Sequence, residues 1–115
     1  MTNIERGQIW LINFNPTQGH EQSGIRPALI LSTNQFNNSL ADKVIAIPLT
    51  SKNKGIPLDV SLLPPEGGIT KDSYIKCEDI RSLSKSRLIE LWGNISIEKL
   101  NEVEKKIKLL LGFIK

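Results

Sequence analysis

The sequence predicts a mostly β protein ending in one α-helix, built as a strongly curved antiparallel sheet or small barrel. Three observations predict it. Short apolar runs follow one another closely from Gly7 to Trp92, glycine, proline and asparagine punctuate them, and only the last stretch changes to a helical period.

The elements can be justified in order. Gly7 to Phe14 (Gly-Gln-Ile-Trp-Leu-Ile-Asn-Phe) reads as the first strand. Asn15 to Gly24 is polar, carries Pro16, Gly19 and Gly24, and reads as a mobile loop. Pro27 to Ser32 is the second strand and Lys43 to Leu49 the third, while Asn34 to Asp42 is too short and asparagine-rich to assign. Pro57 to Leu63 is the fourth, ended by Pro64-Pro65 and a turn at Gly67-Gly68. Ser73 to Ser82 and Arg87 to Trp92 complete six strands. Beyond them Ile97, Leu100, Val103, Ile107, Leu110 and Leu111 recur at three and four residues, with Ser96 as N-cap and Glu98 in the first turn. This helix is expected to bury its apolar stripe against the sheet.

A chain of 115 residues with ordinary apolar and charged content fits a single domain over 1–115, with a core that needs no covalent staples. One cysteine, Cys77, allows no internal disulfide and suits a reducing compartment. It lies in an alternating run and is expected to be a small buried hydrophobe. Met1 to Gly7 has no apolar core of signal-peptide length, and nothing reaches the roughly 20 apolar residues of a membrane-spanning helix. The expectation is a cytoplasmic protein that does not engage a membrane. A net charge of +3 is compatible with a polyanionic partner without requiring one.

Two segments carry chemistry. In Gly19-His20-Glu21-Gln22-Ser23-Gly24-Ile25-Arg26-Pro27, two glycines bracket a carboxylate, an amide and a hydroxyl. Arg26 precedes a proline, which pushes its backbone into extended conformation and launches the guanidinium from a defined direction. Its planar fork of donors suits a phosphate, although pairing with a nearby acid would satisfy it equally. In Ala46-Ile47-Pro48-Leu49-Thr50-Ser51-Lys52, proline within an apolar strand implies an edge or a bulge. Thr50 then becomes a candidate donor at the rim of the sheet, or simply a strand end.

The opening Arg6-Gly7-Gln8-Ile9-Trp10, the Gly19-x-Glu21-Gln22-x-Gly24-x-Arg26-Pro27 loop and Pro48-Leu49-Thr50-Ser51 occur in that order. Together they resemble the MazF/PemK toxin endoribonucleases. The runs Asp72-Ser73-Tyr74-Ile75, Glu78-Asp79-Ile80-Arg81 and Arg87-Leu88 fit the same family, so the resemblance spans roughly Arg6 to Gly112. It implies a small plugged SH3-like barrel that dimerises, with single-stranded RNA in a groove along the dimer. It also implies metal-free cleavage to a 2′,3′-cyclic phosphate and a 5′-hydroxyl, without a cofactor. The family's catalytic arginine falls on Arg26, its catalytic threonine on Thr50 and its loop glutamate on Glu21. Where the family often has a small residue, this chain has His20. A cognate antitoxin with a flexible acidic segment is implied as partner.

The residue chemistry agrees with that cleavage. The ribose 2′-oxygen attacks its own phosphorus, so the protein must align the attack, stabilise a phosphorane and move two protons. Arg26 and the Thr50 hydroxyl suit the non-bridging oxygens, and Glu21 suits acceptance of the 2′-hydroxyl proton. Metal-free ribonucleases that use histidines employ a pair, and His20 is alone. RNA contacts are expected from His20, Gln22 and Ser23 in the loop, from Ser51, Lys52 and Lys54 after the third strand, and from Arg81. Lys43 stands near the same segment, though a run of lysines is equally a solvated face. Trp10, Phe14 and Trp92 fit core packing better than base stacking.

No metal site is expected: no His/Cys/Asp cluster has ligand spacing, and Glu78 and Asp79, as strand neighbours, should face opposite sides. A nucleophile elbow and a triphosphate-binding glycine loop are absent from the sequence. Two other readings compete. The same barrel resembles a toxin family that poisons DNA gyrase by binding, but that family ends in an apolar Trp-Gly-Ile, whereas this chain ends Leu111-Gly112-Phe113-Ile114-Lys115. An inactive RNA-binding or dimerisation module is the other, and the retained arginine and threonine weigh against it.

Overall fold

The computed structural model describes residues 3–16, 18–20 and 23–114. Seven strands, two α-helices and short 3₁₀ turns follow in the order β1 (Gln8–Asn13), β2 (Ile25–Ile30), α1 (Asn34–Asn37), β3 (Lys43–Thr50), β4 (Asp59–Leu62), β5 (Ser73–Lys76), β6 (Arg81–Ser84), β7 (Leu88–Asn94) and α2 (Ile97–Leu110). All pairings are antiparallel.

The hydrogen-bonded order is β4-β5-β3-β2-β1-β7, with β6 also on β3. The path is therefore open, and the expected barrel is a curled sheet whose two ends are not joined by a ladder. They meet by close packing instead. The Gly67-Gly68 turn between β4 and β5 lies against Trp92 and Gly93 of β7, where a Cβ on Gly68 would stand 2.3 Å from the Trp92 carbonyl oxygen. Gly68 also has φ +77°, so both backbone conformation and space demand glycine. Glu66 beside this turn accepts a hydrogen bond from the Ser96 amide at 2.8 Å, which fixes the entry to α2.

β3 explains why its proline is tolerated. Its first half pairs with β6 from Lys43 to Ala46, and its end pairs with β5 at Leu49 and Thr50. Pro48 falls at the change of partner on that edge, where a missing N–H breaks no ladder bond. The Ser73–Ser82 strand read from the sequence is likewise interrupted, because Cys77–Asp79 form a 3₁₀ turn between β5 and β6. Glu78 and Asp79, expected on opposite faces, consequently both approach the Lys76 ammonium, at 3.9 and 3.4 Å.

The sheet separates two apolar clusters. One contains Ile9, Leu29, Ile47, Leu49, Val60, Leu62 and Ile75 under α2, which contributes Val103 and Ile107. The other gathers Ile12, Phe14, Ala28, Ile30, Val44, Ala46 and Leu83. Ser96 caps α2 by accepting from the Lys99 amide at 3.1 Å, and the Arg6–Glu104 ion pair ties the helix to the chain before β1. The helix buries less than its sequence stripe suggested. Val103 and Ile107 are buried, but Ile97, Leu110 and Leu111 are exposed, together with Leu109, Phe113 and Ile114. The unassigned stretch after β2 contains α1, capped by Thr33, whose hydroxyl accepts from the Phe36 amide at 3.2 Å.

Candidate active site

Alternation along the strands puts Arg26 and Thr50 on one face of the sheet. Trp10 and Ile12 of β1, Arg26, Ala28 and Ile30 of β2, and Val44, Ala46, Pro48 and Thr50 of β3 share that face. Toward the ends of β2 and β3 the apolar cluster gives way to polar groups. The last paired residues are Ala28 and Pro48, and the same register carried two residues further sets Arg26 opposite Thr50.

Both line a small cleft of about 160 Å³, with Ile25, Pro27, Leu49, Ser51, Lys71 and Ser73. Its charged lining groups are Arg26 and Lys71, both cationic, and no carboxylate joins them among the described residues. Arg26 is half-buried, and its Nε–H donates to the Ser23 carbonyl at 2.6 Å. That bond orients the guanidinium from the base of the loop. Thr50 is 8% exposed, with its Oγ1 accepting from the Lys52 amide at 3.2 Å. With the oxygen engaged as acceptor, the hydroxyl proton remains able to donate.

The loop before β2 was expected to be mobile, yet its neck is fastened. Phe14 N donates to Gly24 O at 2.9 Å, Gly24 N to Asn15 Oδ1 at 3.0 Å, and Arg87 reaches the carbonyls of Asn13 and Asn15. Glu21 and Gln22 lie outside the described residues. Ser23 reaches the site through its carbonyl. Ser51 lines the cleft, whereas His20, Lys52 and Lys54 are exposed and outside its lining. Arg81, paired with Ala46, sits with its guanidinium 5.9 Å from the centre of the Phe14 ring and is also outside the lining. Phe14 itself is fully buried, as core packing requires.

Sequence reading missed Lys71 and Ser73. Ser73 is buried, and its hydroxyl donates to the Lys71 carbonyl at 2.9 Å, fixing the bend that delivers Lys71 to the cleft. The signal lay in the register of β5 on β3. Thr50 pairs with Tyr74, so the residues entering β5 arrive beside the end of β3.

A second polar cluster lies one row along the same face. Asp59 of β4 pairs with Lys76 of β5, and the Lys76 ammonium also faces Glu78 and Asp79. Burial first, then a hydrogen bond and charge repulsion from Glu78, push the Asp59 carboxyl up to about 7. Burial pushes the neighbouring Cys77 thiol up to about 12, which fits a packed hydrophobe and not a nucleophile. Among the described residues no three His, Cys, Asp or Glu side chains are grouped to hold a metal ion, and no helix is long and apolar enough to cross a membrane.

Fold and cleft together define a class: a small curled β-sheet protein with a cationic, hydroxyl-bearing notch at the strand ends, suited to a phosphate. Comparison with known proteins makes the class specific. Residues 5–111 match the family described as PemK-like, MazF-like toxin of type II toxin-antitoxin system, and the chain belongs to that family. It is 38% identical over 111 residues to the endoribonuclease MazF of Staphylococcus saprophyticus, covering 95% of this chain and 92% of that protein. The crystal structure of MazF from Deinococcus radiodurans superposes with a TM-score of 0.86 at 35% identity, covering 97% of this chain and 99% of that one. A MazE-MazF structure from the same organism gives 0.80 at 34% identity, covering 99% and 100%.

Proposed function

We propose that this toxin is an endoribonuclease that cuts single-stranded RNA at specific sequences. Cleavage proceeds without a metal ion, by attack of the ribose 2′-hydroxyl on the adjacent phosphorus. The observation that carries this reading is the presence of Arg26 and Thr50 in one cleft whose charged lining, among the described residues, is wholly cationic. A phosphodiester seated there meets a guanidinium from β2 and a hydroxyl from β3. Family membership and the resemblance to a MazF endoribonuclease support the same substrate.

In the reaction the 2′-oxygen–phosphorus bond forms and the phosphorus–5′-oxygen bond breaks. The products are a 2′,3′-cyclic phosphate and a 5′-hydroxyl. Arg26 and Thr50 donate to the non-bridging oxygens, most strongly as these gain charge in the phosphorane, and each such donor is worth about 10²–10³ in rate. Glu21 accepts the 2′-hydroxyl proton. His20, Gln22, Ser23, Ser51, Lys52, Lys54 and Arg81 contact the flanking nucleotides. The toxin acts in the cytoplasm as a homodimer with RNA along the dimer groove, and its antitoxin blocks that groove with an acidic segment. Exposed Leu109, Leu111 and Phe113 are side chains of the kind a second copy covers.

The test is a chimeric RNA. Once a cut site is mapped on a long single strand, the ribose before it is replaced by deoxyribose. Transesterification predicts that cutting at that site stops while other sites are still cut. Persistent cutting at the deoxy position would replace this chemistry with direct hydrolysis.

A further inference from the structure

The three groups that reach the cleft arrive from three neighbouring strands in the spatial order β2, β3, β5: Arg26, then Thr50, then Lys71 at the entrance of β5. In the register of β5 on β3 Tyr74 stands opposite Thr50, so Lys71, three residues earlier in the chain, enters the cleft from beyond the end of β3. Arg26 and Lys71 both line the cleft that holds Thr50. In-line displacement at phosphorus needs the entering and leaving oxygens on opposite sides. The cleft has the corresponding two-sidedness. On the β2 side stands Arg26, which follows Glu21, the base of the ribonuclease reading, by five residues in the sequence. On the β5 side, among the described lining residues, the group able to release a proton is Lys71, accompanied by the Ser73 hydroxyl already committed to the Lys71 carbonyl.

We propose that Lys71 is the general acid of the cleavage, giving its proton to the departing 5′-oxygen. This rests on the ribonuclease reading above. As the 2′-oxygen–phosphorus bond forms and the 5′-oxygen–phosphorus bond breaks, one Lys71 ammonium proton passes to the 5′-oxygen, completing the 5′-hydroxyl. The amine regains a proton from solvent before the next turnover. Arg26 cannot share this task, because a guanidinium does not give up its proton in a protein. It serves charge stabilisation on the opposite flank. The Ser73–Lys71 hydrogen bond holds the backbone from which the amine is presented.

A leaving-group substitution tests this directly. Lys71→Ala and Lys71→Arg are compared with wild type on two RNAs cut at one mapped linkage, one with the natural 5′-oxygen and one with a bridging 5′-sulfur there. A thiolate leaves without protonation. Loss of the acid should slow the oxygen substrate about 10²–10⁴-fold in both variants and leave the sulfur substrate within a few-fold of wild type. Lys71→Arg keeps the charge, so its slow oxygen cleavage separates proton donation from phosphate binding. Equal losses on both substrates would overturn the proposal in favour of phosphate binding alone, and unchanged oxygen cleavage would overturn it outright. Wild type that cuts neither RNA would refute the ribonuclease reading itself, a result distinguishable from failure of Lys71 alone.

Discussion

Arg26 on β2 and Thr50 on β3 each lie two residues beyond Ala28 and Pro48, the last pair of their ladder, and they share one cleft. Arg26 is paired with Ile12 of β1 and Thr50 with Tyr74 of β5, so strand ladders and not the loop hold both positions. Arg26→Lys should therefore fail to rescue activity. It keeps the charge but loses the fork and the Nε–H bond to Ser23, and we expect cleavage near that of Arg26→Ala, roughly 10²-fold or more below wild type. Single-turnover cleavage of a fixed RNA checks this.

Thr50→Val removes the hydroxyl at nearly constant volume from a residue 8% exposed. It should cost about 10²-fold in rate with the fold retained, while Thr50→Ser stays within about tenfold of wild type. A Val variant as active as wild type would remove Thr50 from the mechanism.

Stability should fall as pH rises through neutrality because of Asp59. Its folded carboxyl titrates near 7, well above its ordinary value of 3.8. The contribution from its protonated form is thus fully present below about 4 and is lost as pH climbs to about 7. Lys76, Glu78 and Asp79 face it, with Lys106 near the adjoining Cys77. Asp59→Asn should flatten the decline in melting temperature between pH 5 and pH 8, read by thermal melts of both proteins.

The two ends of the apolar stripe on α2 should respond differently. Val103 is fully buried, and Val103→Ala should destabilise by about 2 kcal/mol. Ile97 is 68% exposed, and Ile97→Ala should cost less than about 0.5 kcal/mol. Denaturant midpoints of the two variants give the comparison.

Much of this fold was legible in the sequence because period and punctuation are local. The Gly7–Phe14 and Lys43–Leu49 runs lie within one residue or so of β1 and β3, and Ser96 caps the helix as read. What was not legible depends on contacts distant in sequence. The 3₁₀ turn at Cys77–Asp79 breaks an alternating pattern that reads as one strand, and it brings Glu78 and Asp79 onto the same lysine. Closure by Gly67-Gly68 packing on β7, in place of a ladder, is a contact between segments 25 residues apart. Arg26 and Thr50 stood out because proline marks both segments. Lys71 did not, since nothing near it in the chain shows that β5 will bring it beside Thr50.

The central claim is metal-free cutting of RNA by the Arg26–Thr50 cleft. Its most direct test incubates wild type and folded Arg26→Ala with a long single-stranded RNA in excess EDTA and maps the product ends. Discrete cuts bearing cyclic phosphate and 5′-hydroxyl ends in the wild type alone are the predicted result. Intact RNA with the wild type, or equal cutting by the variant, would contradict it.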